Sequence, residues 1–292
     1  MMSQVSNTVL IFGCGYSAQV LGQQLLAKGW RVLGTTRSSI KADAMRAQGI
    51  QPILWPGDDI MDALDAATHI LISAAPNETG DPVLTALSVE IQRRAGQYAW
   101  LGYLSTTAVY GDRNGGWVDE TSTLNPATKR GAARVVAERA WLQLHHSHAL
   151  PVHIFRLAGI YGPNRGPIAK LRAGTARCII KKGQVFSRIH VADIAQVLQA
   201  SISQPNPGAI YNVCDNKPTS PEVVIAYAAK ILGLPVPAFE PFEQAKMTPM
   251  ARSFYGESKK VSNRRILEEL GVTLQHPDYK SGLDAEIAAK FT

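Results

Sequence analysis

Short, wholly apolar runs alternate with stretches in which apolar residues recur every three or four positions, and this rhythm governs the first half of the chain. Residues 8–12 (TVLIF) are apolar almost throughout and read as a strand buried on both faces. In residues 16–28, Val20, Leu21, Leu25 and Leu26 fall at helical spacing. Residues 31–36 (RVLGTT) form a second strand, and Ser38 stands where an N-cap belongs, ahead of a helix ending near Gly49. The same reading places strands at 52–55, 69–73 and 99–105, with helices near 59–66 and 81–96 between them. Such alternation predicts an α/β fold, a doubly wound parallel sheet with helices on both faces. Further on come a long helix at 128–144, a strand at 152–157, a helix at 191–203 and a strand at 209–213. Residues 163–182 and the chain after 219 break the rhythm and are richer in Pro and Gly, although helices are predicted at 221–233 and 259–270.

A chain of 292 residues with 46% apolar side chains is long enough for one large domain or a domain with a smaller companion. Only 18% of residues are charged, which excludes a disordered solvating chain. The three cysteines, Cys14, Cys178 and Cys214, form no CxxC pair, so neither a disulfide framework nor a zinc knuckle is expected, and a cytoplasmic location suits them. The most apolar long stretch, 223–239, is interrupted by Lys230, Pro235 and Pro237 and cannot serve as a membrane span. The first fifteen residues lack a basic region, so they do not read as a signal peptide.

Thirty Lys and Arg against 23 Asp and Glu leave +7, which raises the question of a polyanionic partner. The excess is regional. Between Glu138 and Asp193 there is no acid and there are nine cations, so the rest of the chain carries −2. No aromatic-interleaved RNA-binding pattern or DNA-reading motif accompanies them, and no specific nucleic-acid partner is expected. The cations from Arg165 to Arg188 are expected to border a ligand cleft, where they would draw in an anionic small molecule; a solvated basic face is the other reading.

Gly13-Cys14-Gly15-Tyr16-Ser17-Ala18 follows the first strand directly and opens the first helix. This is the GxGxxA form of the dinucleotide-binding turn in its required context. Gly13 allows the tight turn, Gly15 lets a pyrophosphate approach the backbone, and Ala18 permits close helix–sheet packing. Cys14 reads as a small filler. The second strand ends at Thr36-Arg37-Ser38, with Lys41 one turn later and no acid before Asp43. An acid there would bind the ribose 2′-hydroxyl of NAD, whereas Arg37 suits a 2′-phosphate. NADP(H) is therefore expected, with NAD(H) the alternative if Arg37 is merely a solvated helix-start residue.

Several ordered motifs follow: Gly57-Asp58-Asp59-Ile60, Ile72-Ser73-Ala74-Ala75, Ser105-Thr106-Thr107-Ala108-Val109-Tyr110-Gly111, Asp119-Glu120, Pro126, Arg156-Leu157-Ala158-Gly159-Ile160-Tyr161-Gly162-Pro163 and Ile189-His190-Val191-Ala192-Asp193. In this order the chain resembles the extended short-chain dehydrogenase/reductase family, the NAD-dependent epimerase/dehydratase group. The resemblance implies a Rossmann domain and a smaller, discontinuous C-terminal substrate lobe. The expected boundaries are 1–162 plus 184–213 for the first and 163–183 plus 214–292 for the second. It also implies that Asp59 meets the adenine, that Ala74, Ala75, Gly159 and Ile160 border the cofactor, and that Thr106 is the catalytic Ser/Thr. Residues 252–255 (RSFY) and 259–263 (KKVSN) fall where related proteins end the substrate lobe.

The family's Tyr-x-x-x-Lys is missing. Glu138 matches the acid that follows the Lys, which puts Arg134 at the Lys position and Arg130 at the Tyr position, and no tyrosine lies between Tyr110 and Tyr161. Arginine keeps its proton across the working pH range and cannot shuttle one as a tyrosine does. Arg130 could stabilise an oxyanion or bind an anionic substrate, and Arg134 could stand near the cofactor ribose. Tyr110 is a candidate proton donor or a packing residue, and His190 a candidate substrate ligand or a structural histidine. Arg165 and Arg188 complete the expected substrate contacts. His145, His146 and His148 at a helix end read as helix-terminus cations, with no metal expected. The chain is thus expected to be an NADP(H)-dependent oxidoreductase, epimerase or dehydratase of the atypical branch. Its substrate would be a polar anion such as a sugar or nucleotide-sugar; an inactive NADP(H)-binding sensor or scaffold is the alternative. Dimers are common in the family it resembles, so the resemblance allows a homodimer.

Overall fold

A computed structural model describes residues 7–289, apart from the side chain of Met250. The expected absence of a signal peptide begins in residues 1–6, outside the described residues. In the first half the order is β1 (Thr8–Phe12), α1 (Tyr16–Leu26), β2 (Arg31–Thr36), α2 (Ser39–Ala47), β3 (Gln51–Leu54), α3 (Met61–Ala66), β4 (His69–Ile72), α4 (Pro82–Arg93), β5 (Trp100–Thr106), β6 (Trp117–Val118) and α5 (Lys129–His148). Then follow β7 (Val152–Leu157), β8 (Gly159–Tyr161), α6 (Pro167–Arg172), β9 (Cys178–Ile180), β10 (Arg188–His190), α7 (Val191–Ser203) and β11 (Ile210–Val213). The chain closes with α8 (Pro221–Ile231), β12 (Phe239–Pro241), α9 (Pro249–Tyr255), β13 (Lys260–Val261), α10 (Arg264–Glu268) and α11 (Tyr279–Ala288).

The apolar runs became the strands of a seven-stranded sheet in the order β11-β7-β5-β4-β1-β2-β3. Pairing is parallel from β3 through β2, β1 and β4 to β5. The order reverses between β1 and β4, and at such a switch point the loops leaving the strand ends diverge and leave a crevice. Strands β1 and β4 are buried at every position, because helices cover both faces. One core cluster joins Leu10, Phe12, Ile70 and Ile72 from these strands to Leu87 and Ile91 of α4 and Trp141 of α5.

The chain packs as two compact units, the first from residues up to Ser105, Ala133–Phe155 and Ala195–Tyr211. The second contains Thr106–Ala132, Arg156–Ile194 and the chain from Asn212 onward. This division differs from the expected one in assigning 106–132, 156–162, 184–194 and 212–213 to the second unit. A buried polar network shows the reason. The Tyr110 hydroxyl donates to Asn212 Oδ1 (2.7 Å) and accepts from Arg156 Nη1 (2.9 Å), while the Asn212 N–H donates to Glu120 Oε1 (2.7 Å). The segment carrying Tyr110 and Glu120 is therefore bonded to the ends of β7 and β11. The second unit has its own core, in which Tyr161, Ile168 and Leu171 meet Val224 and Ala228 of α8 and Leu283 of α11.

The predicted helix at 259–270 is not continuous. Lys260–Val261 pairs in parallel with Trp117–Val118, and helix begins only at Arg264. Among the described residues no helix is long and apolar enough to cross a membrane.

Candidate functional site

In the first unit the glycine turn sits at the switch point. The Gly13 N–H donates to Thr35 Oγ1 (2.8 Å) and the Cys14 N–H to the Thr35 carbonyl (2.9 Å), which ties the turn to the end of β2. Gly13 has φ +76°, and a Cβ there would stand 2.8 Å from the Ala74 amide, so the turn needs glycine twice over. Gly15 is different: a Cβ would meet only the Gly13 carbonyl oxygen at 3.8 Å, leaving its outer side open. Helix α1 starts at once with Tyr16 and Ser17, no side chain caps it, and Ala18 is fully buried. Uncapped N–H groups at the start of an eleven-residue helix suit a pyrophosphate. Cys14 is buried against Gly34, and burial pushes its thiol up to about 12, as suits a filler rather than a nucleophile.

Ser38 does cap α2, its hydroxyl accepting from the Lys41 N–H (3.4 Å), and the Thr36 hydroxyl accepts from the Ser38 N–H (3.2 Å). Arg37 and Lys41 are exposed, and neither forms an ion pair among the described residues. Asp43, the next acid, is engaged with Arg46 at 2.5 Å. Asp59 is exposed and caps the following turn through the Met61 N–H, Ala74 is half-buried, and Ala75 is exposed. These residues can therefore border a dinucleotide. Arg134, expected near the cofactor ribose, donates to the Leu104 carbonyl and lies 5.5 Å from the Tyr103 ring centroid. Next to it, the Ser105 hydroxyl donates to Glu138 Oε1 at 2.5 Å, which explains the acid at that position.

The second unit forms a half-open cavity of about 790 Å³. Thr106, Arg130, Arg188, Gly159 and Ile160 all line it, so five of the expected site residues are brought together there. The Thr106 hydroxyl accepts from the Ala108 N–H (3.2 Å), which leaves its own hydrogen for a ligand oxygen. Six cations line the wall: Arg130, Lys170, Arg177, Arg188, Lys246 and Lys259. Glu257 is the one carboxylate among the lining residues and is held by Lys259 at 2.5 Å. Arg177 is bound to Glu240 at 2.5 Å. Arg188 donates to the carbonyls of Phe186 (2.9 Å) and Thr219 (2.7 Å) and has no carboxylate within ion-pair distance among the described residues. Burial pulls its guanidinium below the usual value, with the charge of Asp215 acting in the opposite direction.

Three expectations are corrected. Tyr110 is fully buried outside the cavity lining, and Asn212 and Arg156 occupy its hydroxyl, so it packs rather than donates protons to a ligand. His190 is 5% exposed and away from the lining, 4.0 Å from the His276 ring centroid. Burial and His276 push it down to about 4, so it is neutral and structural. Arg165 is exposed in the turn that pairs Gly162 with Arg165 and does not reach the lining. Among the described residues no group of three or more His, Cys, Asp or Glu is placed to hold a metal, and the His145 ring is taken by the Leu150 carbonyl (2.9 Å). Lys246 and Glu257 escaped the sequence reading, whereas Phe254 lies in the stretch 252–255 expected at the end of the substrate lobe. Lys170 and Arg177 belonged to the run of nine cations, but nothing local distinguished them from a solvated face.

The model of the NAD dependent epimerase/dehydratase family matches residues 9–214, and the chain belongs to that family. It is similar to the protein YeeZ of Escherichia coli strain K12, with 30% identity over 92% of this chain and 96% of that one. It also resembles the solved structure of a functionally unknown conserved protein from Silicibacter pomeroyi DSS, 56% identical, with TM-score 0.92 over 97% of this chain and 99% of that chain. UDP-glucuronic acid 4-epimerase from Bacillus cereus, solved with UDP-glucuronic acid and NAD, has 18% identity and TM-score 0.78 over 96% and 98% of the two chains. That likeness is one of fold.

Proposed function

We propose that the chain binds NADP(H) at the glycine turn of its first unit and a polar, anionic small molecule, of the sugar or nucleotide-sugar class, in the cavity of its second. The observation that carries this is the charge of the cavity wall, where six cations face a single, already paired carboxylate. Such a wall concentrates anions and leaves Arg188 seeking a counter-charge. The dinucleotide would accept or return a hydride, and Thr106 would hold a substrate oxygen. Reduction or oxidation, or epimerase or dehydratase chemistry, is the reaction class. Arg130 in place of a tyrosine makes the proton transfer unlike the family's usual one.

The same replacement favours a second reading, a dinucleotide-binding sensor without turnover. Tyr161 and Tyr255 line the cavity, but burial raises both phenols, and the Tyr161 hydroxyl is spent on the Asp278 carbonyl (3.3 Å). The three cysteines are buried free thiols, which supports a reducing, cytoplasmic compartment.

The cofactor assignment is tested with NADPH and NADH titrated by fluorescence into wild type and Arg37→Glu. Wild type is expected to prefer NADPH, and the variant to lose about tenfold or more of that affinity, as when a charge-assisted contact becomes a repulsion. Unchanged NADPH binding in R37E, or an NADH preference in wild type, overturns it. Oxidation of bound NADPH by a carbonyl panel separates enzyme from sensor.

A further inference from the structure

Arg130 lies in the first turn of α5, on the cavity lining. That turn is pressed onto the loop after β5: a Cβ on Gly131 would stand 2.9 Å from the Ala108 carbonyl oxygen, and the Gly131 N–H is capped by Thr128 Oγ1 at 3.1 Å. Arg130 therefore sits beside Thr106, Thr107 and Ala108, which line the same cavity. Its guanidinium is 5.7 Å from the Phe254 ring centroid, and Phe254 remains 57% exposed.

Of the other arginines of the wall, Arg177 is neutralised by Glu240, and Arg188 spends one nitrogen on two carbonyls while keeping its charge for a ligand. Arg130 has no carboxylate partner among the described residues. An aromatic face attracts and orients a guanidinium without neutralising it, and leaves the N–H fork unspent. A large apolar ring kept half in solvent and used to aim a charge is explained by a ligand that meets both. Along the stretch 106–130 of the lining Arg130 is the one cation, which matches the single charge of a carboxylate better than the double charge of a terminal phosphate.

We infer that the cavity's ligand carries a second anionic group, a carboxylate, at the end facing Arg130 and the Thr106 hydroxyl, besides the anionic group answered by Arg188. Arg130 is then the residue that selects acidic over neutral ligands, with Phe254 positioning it. This rests on the reading of the cavity as an anion site, and the experiment separates the two.

Dissociation constants are measured calorimetrically on the full chain for UDP, UDP-glucose and UDP-glucuronate; the two nucleotide-sugars differ only in a hydroxymethyl or a carboxylate. Wild type is expected to bind UDP-glucuronate roughly tenfold or more tighter than UDP-glucose, the scale of one charge-assisted contact. In Arg130→Gln the ratio falls to about one, in Arg130→Lys it is intermediate because charge remains without the fork, and in Phe254→Leu it drops without vanishing. A wild-type ratio near one, or a full ratio kept in R130Q, overturns the inference while the anion-site reading stands. If none of the three nucleotides binds, both fall.

Discussion

Asp215 is held 1% exposed, with one carboxylate oxygen accepting the Lys217 N–H (3.1 Å) and the other unpartnered. Burial raises its pKa from the usual carboxylate range to about 7. The folded protein thus keeps this proton at pH values where the unfolded chain has lost it. Its contribution is fully present only below the ordinary carboxylate value of 3.8, shrinks as pH rises above that, and is gone once pH passes about 7. Between pH 5 and pH 8 it should cost wild type about 2–3 kcal/mol relative to Asp215→Asn, read from urea midpoints at the two pH values. A pH-independent difference between the two proteins would show that the carboxyl ionises freely. At the same scale, Gly34 shows how a single missing methyl group shapes a site: a Cβ there would lie 2.6 Å from the Met45 side chain and 2.9 Å from that of Cys14. The glycine in the strand and the cysteine in the turn are therefore one packing solution, and neither motif nor spacing announces it.

At the scale of elements, the sheet was legible because strands covered on both faces must be apolar throughout, and β2, β7 and α7 fall at the expected residues. The small sheets of the second unit were not. Strands of two or three residues such as β6 and β13 exist because Trp117–Val118 and Lys260–Val261 find each other across more than a hundred residues, and no local pattern encodes that partner. Helix α11 did carry a signal, the Asp278 and Ser281 of a capping box, which the sequence reading passed over. Of the candidate sites, the glycine turn was readable because its chemistry is contiguous, whereas the cavity draws its lining from distant stretches of chain. Capping also carries weight in α4. Asp81 is 5% exposed, accepts from the Val83 (2.9 Å) and Leu84 (3.1 Å) amides, and receives Trp141 Nε1 on its other oxygen (3.3 Å). Asp81→Ala strips the cap and leaves a buried indole N–H unpaired, so denaturant midpoints should report a loss of about 2–3 kcal/mol. A loss below about 0.5 kcal/mol would mean that water replaces both partnerships.

For the whole molecule, the positive charge that first suggested a polyanion proves to be partly spent inside the second unit. Arg177 and Lys259 are paired with Glu240 and Glu257, which leaves Arg130, Lys170, Arg188 and Lys246 as the wall's unneutralised charge. The chain passes between the two units five times, at 105/106, 132/133, 155/156, 194/195 and 211/212. All five passages fall inside single elements: β5, α5, β7, α7 and β11 each contribute residues to both units. Neither unit can then lose its order while leaving those elements intact. Calorimetry should show one unfolding transition, with NADPH and an anionic cavity ligand each raising the same midpoint. Two resolved transitions, moved separately by the two ligands, would refute this. The interleaving also limits how such a protein can acquire a new specificity. A lobe assembled from three separate stretches cannot be exchanged by splicing in one contiguous gene segment. A change of ligand must come by point substitution in the wall, at positions such as 130, 188 and 254.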